Sequence, residues 1–272
     1  MIDYGKHSLL NVSVDAVDQE AAVERILHFA RTRRPYLVSA LAVHGLVEAS
    51  RDPQLRGALN DFDLVVPDGQ PLCWGLNLVH GLDLREKVPG PSVTEALLAA
   101  AAREGLTVYF YGSRPEVLER IIRVVEARYG SALRVVSQPS RFAAVETAEL
   151  TSIAAEINES GANLCLAGLG CPRQERFVAV AGPLLRMPTL AVGAAFDYLA
   201  GDIERASPRI QALGLEWAHR LAQEPRRLAR RYATTNTQFL VALSAQLARE
   251  RVLRRPAPPY EWAGPQWAEI DA

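Results

Sequence analysis

Asn163-Leu164-Cys165-Leu166-Ala167-Gly168-Leu169-Gly170-Cys171-Pro172-Arg173-Gln174-Glu175 is the stretch whose reading decides the fold. Residues 163–167, apolar from Leu164 on, read as a strand. Two glycines then open a loop over residues 168–172, and Pro172 starts a helix over residues 173–180. Charged and amide side chains gather at this glycine-rich strand end, where a polar ligand would need them. The spacing is not the dinucleotide fingerprint, because Arg173 stands in the place of the third glycine. A nicotinamide enzyme is therefore disfavoured.

The same strand–loop–helix order repeats on both sides of this stretch. Strands are expected at residues 9–14, 36–40, 64–66, 107–111, 133–137 and 189–192. Helices are expected at 19–30, with Asp18 as cap, and at 43–59, 71–80, 91–104, 116–129 and 145–160. Such alternation builds βαβ units around a mostly parallel sheet, an α/β fold. From residue 205 the β signal stops. A helix is expected from Ser207-Pro208 to residue 221, a break at Glu224-Pro225, and a second helix over 226–251. A polar, proline-containing tail follows, expected to be mobile. The chain thus divides into an α/β domain over 1–204, a basic helical C-terminal appendage over 205–255 and a tail over 256–272.

The bulk numbers narrow the function class. Of the 272 residues, 49% are apolar and 22% charged, as in a globular protein with a full core. The net charge of −1 argues against a general polyanion binder. The 3 cysteines form no CxxC pair, which fits neither a disulfide framework nor a zinc ribbon and suits a reducing compartment. The 5 histidines are scattered, so neither a metal site nor a cofactor is expected. The N-terminus lacks the order of a signal peptide, and no apolar run approaches the roughly 20 residues of a membrane span. A cytoplasmic protein with at most peripheral membrane contact is expected.

In open α/β sheets ligands bind at the carboxyl ends of the strands. Val66-Pro67-Asp68-Gly69 exposes a carboxylate at such an end. Asp68 reads as a general base or as a turn aspartate before Pro71, and spacing alone leaves both open. Gly112-Ser113-Arg114-Pro115 follows an apolar strand, where backbone N–H groups and a helix dipole favour a diphosphate; a plain turn is the alternative. Ser39 and His44 flank the end of the second strand. The C-terminal segment carries Arg220, Arg226, Arg227, Arg230 and Arg231, with Arg249, Arg251, Arg254 and Arg255 beyond. Interleaved Trp217, Leu221, Leu228, Phe239, Leu240 and Leu243 make it suited to an anionic bilayer or a phosphate. No nucleic-acid-binding motif accompanies the charge.

Taken in order, these pieces resemble the WecG/TagA/CpsF family of bacterial glycosyltransferases, glycosyltransferase family 26. The likeness runs over residues 9–232 and rests on four segments. They are Val66-Pro67-Asp68-Gly69; Gly168 to Glu175; Val192-Gly193-Ala194-Ala195-Phe196-Asp197-Tyr198-Leu199-Ala200-Gly201; and Gly214-Leu215-Glu216-Trp217-Ala218-His219-Arg220-Leu221 with Glu224-Pro225-Arg226-Arg227. The resemblance implies a Rossmann-like architecture of the type termed GT-E and an inverting, metal-independent hexosyltransferase. It implies transfer from a UDP-sugar to a polyprenyl-diphosphate-linked saccharide at the inner membrane face, in surface polysaccharide biosynthesis. By the same resemblance Asp68 is the general base and Ser39 stands where a substrate-contacting Thr is usual. Gly69, Gly112, Ser113, Gly168, Gly170, Arg173, Gln174 and Glu175 fall to the donor. Lys87, Arg220, Arg227 and Arg230 fall to the acceptor or its diphosphate. Leu41 replaces a usual Asn, Lys87 a usual Arg, Ser92 a common Asp, and Ser207 a common Pro. Losing the Asn and the bidentate Arg fork leaves the donor sugar open and makes a non-catalytic component of an assembly complex the alternative. Homo-oligomerisation is left open as well.

Overall fold

The computed structural model describes residues 1–141, 144–207, 209, 210, 215–252, 264, 265, 267 and 269–271. Pro208, Gly214 and residues 253–263, which carry the expected start of the first C-terminal helix and the Arg254-Arg255 pair, lie outside the described residues, as does the side chain of Arg227.

The chain opens with a hairpin, β1 (Asp3–Leu9) against β2 (Val12–Val17). One strand over residues 9–14 is expected from sequence. Instead Leu10 and Asn11 take φ of 53° and 64°, the left-handed pair of a two-residue hairpin turn. The exposed faces of β1 hide its alternation. Asp15 on β2 accepts from Val65 N–H at 2.7 Å and ties the hairpin to the main sheet.

After α1 (Gln19–Thr32), capped by Asp18 as expected, come β3 (Tyr36–Leu41), α2 (Val43–Arg51), α3 (Pro53–Asp61) and β4 (Leu64–Pro67). The single helix expected over 43–59 is split at Asp52-Pro53. Proline holds the preceding residue extended, and the Asp52 carboxylate caps α3 by accepting from Gln54 and Leu55 N–H. Then follow α4 (Gln70–His80), α5 (Gly90–Glu104), β5 (Thr107–Gly112), α6 (Pro115–Tyr129), β6 (Arg134–Gln138), β7 (Ala144–Glu146) and α7 (Thr147–Glu159). The α/β part ends with β8 (Leu164–Gly168), α8 (Arg173–Ala181), β9 (Pro188–Ala191) and α9 (Ala195–Leu199).

Six strands form one parallel sheet in the order β4-β3-β9-β8-β5-β6. Alternate side chains feed two cores. Val38, Ala40, Phe110, Leu164 and Leu166 join α1, α5, α6 and α9; Leu41, Tyr109, Tyr111, Cys165 and Ala167 join α2, α3, α7 and α8. This is a Rossmann-like α/β fold. Because the strands are parallel, the loops after Leu41, Pro67, Gly112, Gly168 and Ala191 all emerge on one edge.

Two C-terminal helices, α10 (Glu216–Gln223) and α11 (Pro225–Leu247), return to the domain. Helix α11 buries Leu228, Phe239 and Leu243, and Phe239 packs where Gly75 leaves room on α4. The tail expected to be mobile is paired at its end: β10 (Glu269–Asp271) runs antiparallel to β7. Burial of Ile270 accounts for the pairing, since an apolar side chain among polar neighbours gives the segment something to bury. Among the described residues no helix is long and apolar enough to cross a membrane.

Candidate active site

Asp68 sits directly beyond β4. Its N–H donates to Leu41 O at 2.9 Å, so the turn hangs from the end of the neighbouring strand. The segment before α5 is held alongside by Val88 N–H donating to Pro67 O at 2.9 Å. Gly90, the first residue of α5, thereby points its N–H at the Asp68 carboxylate. No side chain fits there: a Cβ on Gly90 would lie 2.4 Å from Val192 O. A Cβ on Gly193 would lie 3.8 Å from Asp68 Oδ2, so the end of β9 also borders the carboxylate.

Burial pushes the Asp68 carboxyl up to about 6, against the opposing pulls of the Gly90 N–H, Lys87 and Arg220. A carboxylate at that value is ionised near neutrality yet basic enough to take a proton.

Gly193 also lines a cavity of about 190 Å³, together with Ser113, Arg114, Gly168, Leu169, Gly170, Phe196 and Asp197. The glycines there are dictated by packing. A Cβ on Gly112 would meet Gly168 O at 2.9 Å, and one on Gly168 would strike the Phe196 ring at 2.4 Å. Ser113 adopts φ of 63°, a left-handed turn immediately before α6. Main-chain N–H groups and a helix N-terminus thus border the space, as an anion requires.

The first C-terminal helix approaches Asp68 from another side. Arg220 on α10 lies 5.1 Å from the centre of the Tyr198 ring, hydrogen-bonds that side chain and pairs with Glu224 at 3.0 Å. It is only 12% exposed and contributes positive potential at Asp68. Lys87, half-buried, pairs with Glu216.

A family model described as glycosyl transferase, WecG/TagA/CpsF family, matches residues 7–253. The chain belongs to this glycosyltransferase family. Membership makes it a transferase of cell-surface polysaccharide synthesis, a class that uses nucleotide-sugar donors and lipid-linked acceptors in general.

Within this family member the sequence-predicted residues fall into separate groups. Asp68, with Gly69 next to it in the chain, gathers with Lys87 and Arg220 beyond β4, whereas Ser113, Gly168 and Gly170 line the cavity and Gly112 packs against Gly168. Ser39 is not at the strand end. It pairs in register with Val65 and Ala191, two residues before Leu41, fully buried with its hydroxyl unpartnered. Gln174 and Glu175 face inward on α8, away from the cavity wall. Gln174 Nε2 donates to Glu175 Oε1 at 2.9 Å, and burial raises the Glu175 carboxyl. Cys171 hydrogen-bonds Glu175 and lies close to Gly45 and Leu41. Their neighbourhood includes His44, whose imidazole is held below its ordinary value by burial and by Arg231. Arg173 is exposed on the first turn of α8, and Arg230 is exposed on α11. Residues not singled out as site residues from sequence are Gly90, Gly193, Arg114, Phe196, Asp197, Tyr198 and Glu216. For Gly193 to Tyr198 a signal existed, a glycine just past a strand followed by aromatic and acidic side chains.

Proposed function

We propose that this protein is an inverting hexosyltransferase that moves a sugar from a UDP-sugar to a polyprenyl-diphosphate-linked saccharide. The observation that carries this reading is Gly193, which lines the cavity and stands beside the Asp68 carboxylate, a Cβ on it falling 3.8 Å from Oδ2, so that base and donor site adjoin. Asp68 takes the proton from the acceptor hydroxyl. That oxygen attacks the anomeric carbon as the bond to the UDP oxygen breaks, with inversion. Main-chain N–H groups of the Ser113 and Gly168–Gly170 turns and cationic side chains meet the growing charge on the leaving diphosphate without a divalent cation, while Arg220 and Lys87 serve the acceptor's diphosphate. The polyprenyl acceptor places the enzyme at the inner membrane face. Exposed Arg226 and Arg230 with exposed Trp217, Leu240 and Val241 on α10 and α11 support that contact.

The test is a screen of UDP-sugars against a short polyprenyl-diphosphate-linked sugar, with products read by mass and UDP release. One donor should give a product one hexosyl unit heavier. No product and no UDP release with any donor would overturn the proposal in favour of a non-catalytic role.

A further inference from the structure

Helix α10 lies beside Lys87 and Asp68, yet none of its residues is fully buried. Apolar packing therefore holds it weakly, and polar contacts decide where it rests. At its far end the Gln223 amide clasps the backbone of Glu204, accepting from its N–H at 2.9 Å and donating to its carbonyl at 3.0 Å. At its near end the contact is ionic. Glu216 and Arg220 are spaced by four residues, so they share one face of the helix. Opposite them are Lys87, paired with Glu216, and Asp68, which feels both Lys87 and Arg220. The four charges alternate: Glu216 pairs with Lys87, and Asp68 lies within electrostatic range of both Lys87 and Arg220, whose direct partners are Glu224 and Tyr198. Sliding α10 by one turn would set Arg220 against Lys87, so the pattern both attracts and specifies the register. Among the described residues, Glu224, Tyr198, Tyr232 and Cys73 are further titratable groups around the cluster.

We infer that Glu216 is a positioning residue, which binds Lys87 to seat α10 on the catalytic floor and so delivers Arg220, one turn further on, to Asp68. The seating rests on the contacts above; its catalytic consequence rests on the transferase reading just given.

Hydrogen–deuterium exchange on the full chain tests the seating without any sugar. Amides of residues 216–223 should exchange about 5-fold faster in Glu216→Gln, the loss of one partly exposed ion pair, with α1 unchanged as the folding control. The double variant Lys87→Gln/Glu216→Gln should exchange no faster than the faster single variant, because the second change removes a partner already lost. Exchange at the parent rate in Glu216→Gln, or additive acceleration in the double variant, overturns the inference. The catalytic half is read separately. Glu216→Gln should lower kcat with the donor KM unchanged, and Glu216→Asp should recover part of the loss. Unchanged kcat would refute it. If the exchange results hold and no UDP-sugar is turned over by the parent, the donor reading fails while the seating stands.

Discussion

The value of about 6 for the Asp68 carboxyl makes the acid side of the pH–rate profile the sharpest test of its role. A general base works only when ionised. With its midpoint near 6, about nine-tenths of Asp68 is ionised at pH 7 and about one-tenth at pH 5. kcat/KM should therefore fall about 10-fold between those values. A carboxylate at its ordinary value of 3.8 would lose less than about a tenth of its ionised form over the same range, so the outcomes are well separated. The cause can be tested too. Lys87 favours the ionised form, so Lys87→Gln should move the acid limb to higher pH. The assay is initial-rate UDP release at subsaturating donor from pH 4.5 to 8, with fold checked by circular dichroism at each pH. A profile flat down to pH 5 would refute the assignment of Asp68 as the base.

Further outcomes follow from the same contacts. Asp68→Asn should cut turnover roughly 100-fold or more and yet raise Tm. The sign is set by linkage: the folded carboxyl titrates near 6 and the unfolded one near 3.8, so ionised Asp68 opposes folding above pH 6, by about 1–3 kcal/mol, and that cost fades as pH falls. Equal or lower Tm for Asp68→Asn at pH 7.5 would contradict the burial argument. Gly168→Ala drives a methyl into the Phe196 ring and should weaken UDP binding about 10-fold or more, measured by calorimetry; unchanged affinity would detach the cavity from the donor. Turnover should survive EDTA, and a loss restored by Mg²⁺ or Mn²⁺ would show that side-chain cations do not suffice. Ending the chain after Leu221 should abolish sedimentation with anionic vesicles, whereas unchanged sedimentation would move the membrane contact elsewhere.

Much of the fold was legible because the central strands are buried on both faces. Runs such as Thr107 to Tyr111 and Asn163 to Ala167 are apolar after their first residue, and a glycine stands close to each end. Legibility failed where the deciding signal was local and small. The β1–β2 hairpin turns on Leu10-Asn11, a pair without the glycine that usually marks a left-handed turn, and β1 is too exposed to show a buried face. The break at Asp52-Pro53 was readable from the cap and the proline, but the apolar period on either side continues across it.

The site separates along a similar line. Asp68 was readable because Pro67 and Gly69 bracket a carboxylate at a strand end, a purely sequential pattern. What the proposed role as base draws on is not sequential. Gly90 brings the tip of α5, Gly193 the end of β9, and Arg220 the distant α10. Each glycine matters through an atom it lacks, since a Cβ on Gly90 is barred by Val192 O, a residue 102 positions away in the chain. Conversely, Gln174 and Glu175 lie in the most conspicuous loop–helix junction of the sequence, yet the helix turns both inward. Polar residues at a strand end announce that something polar is gathered there. Whether they face the ligand or one another depends on helix phase, and at α8 the phase sends Arg173 to solvent and its two neighbours into the core.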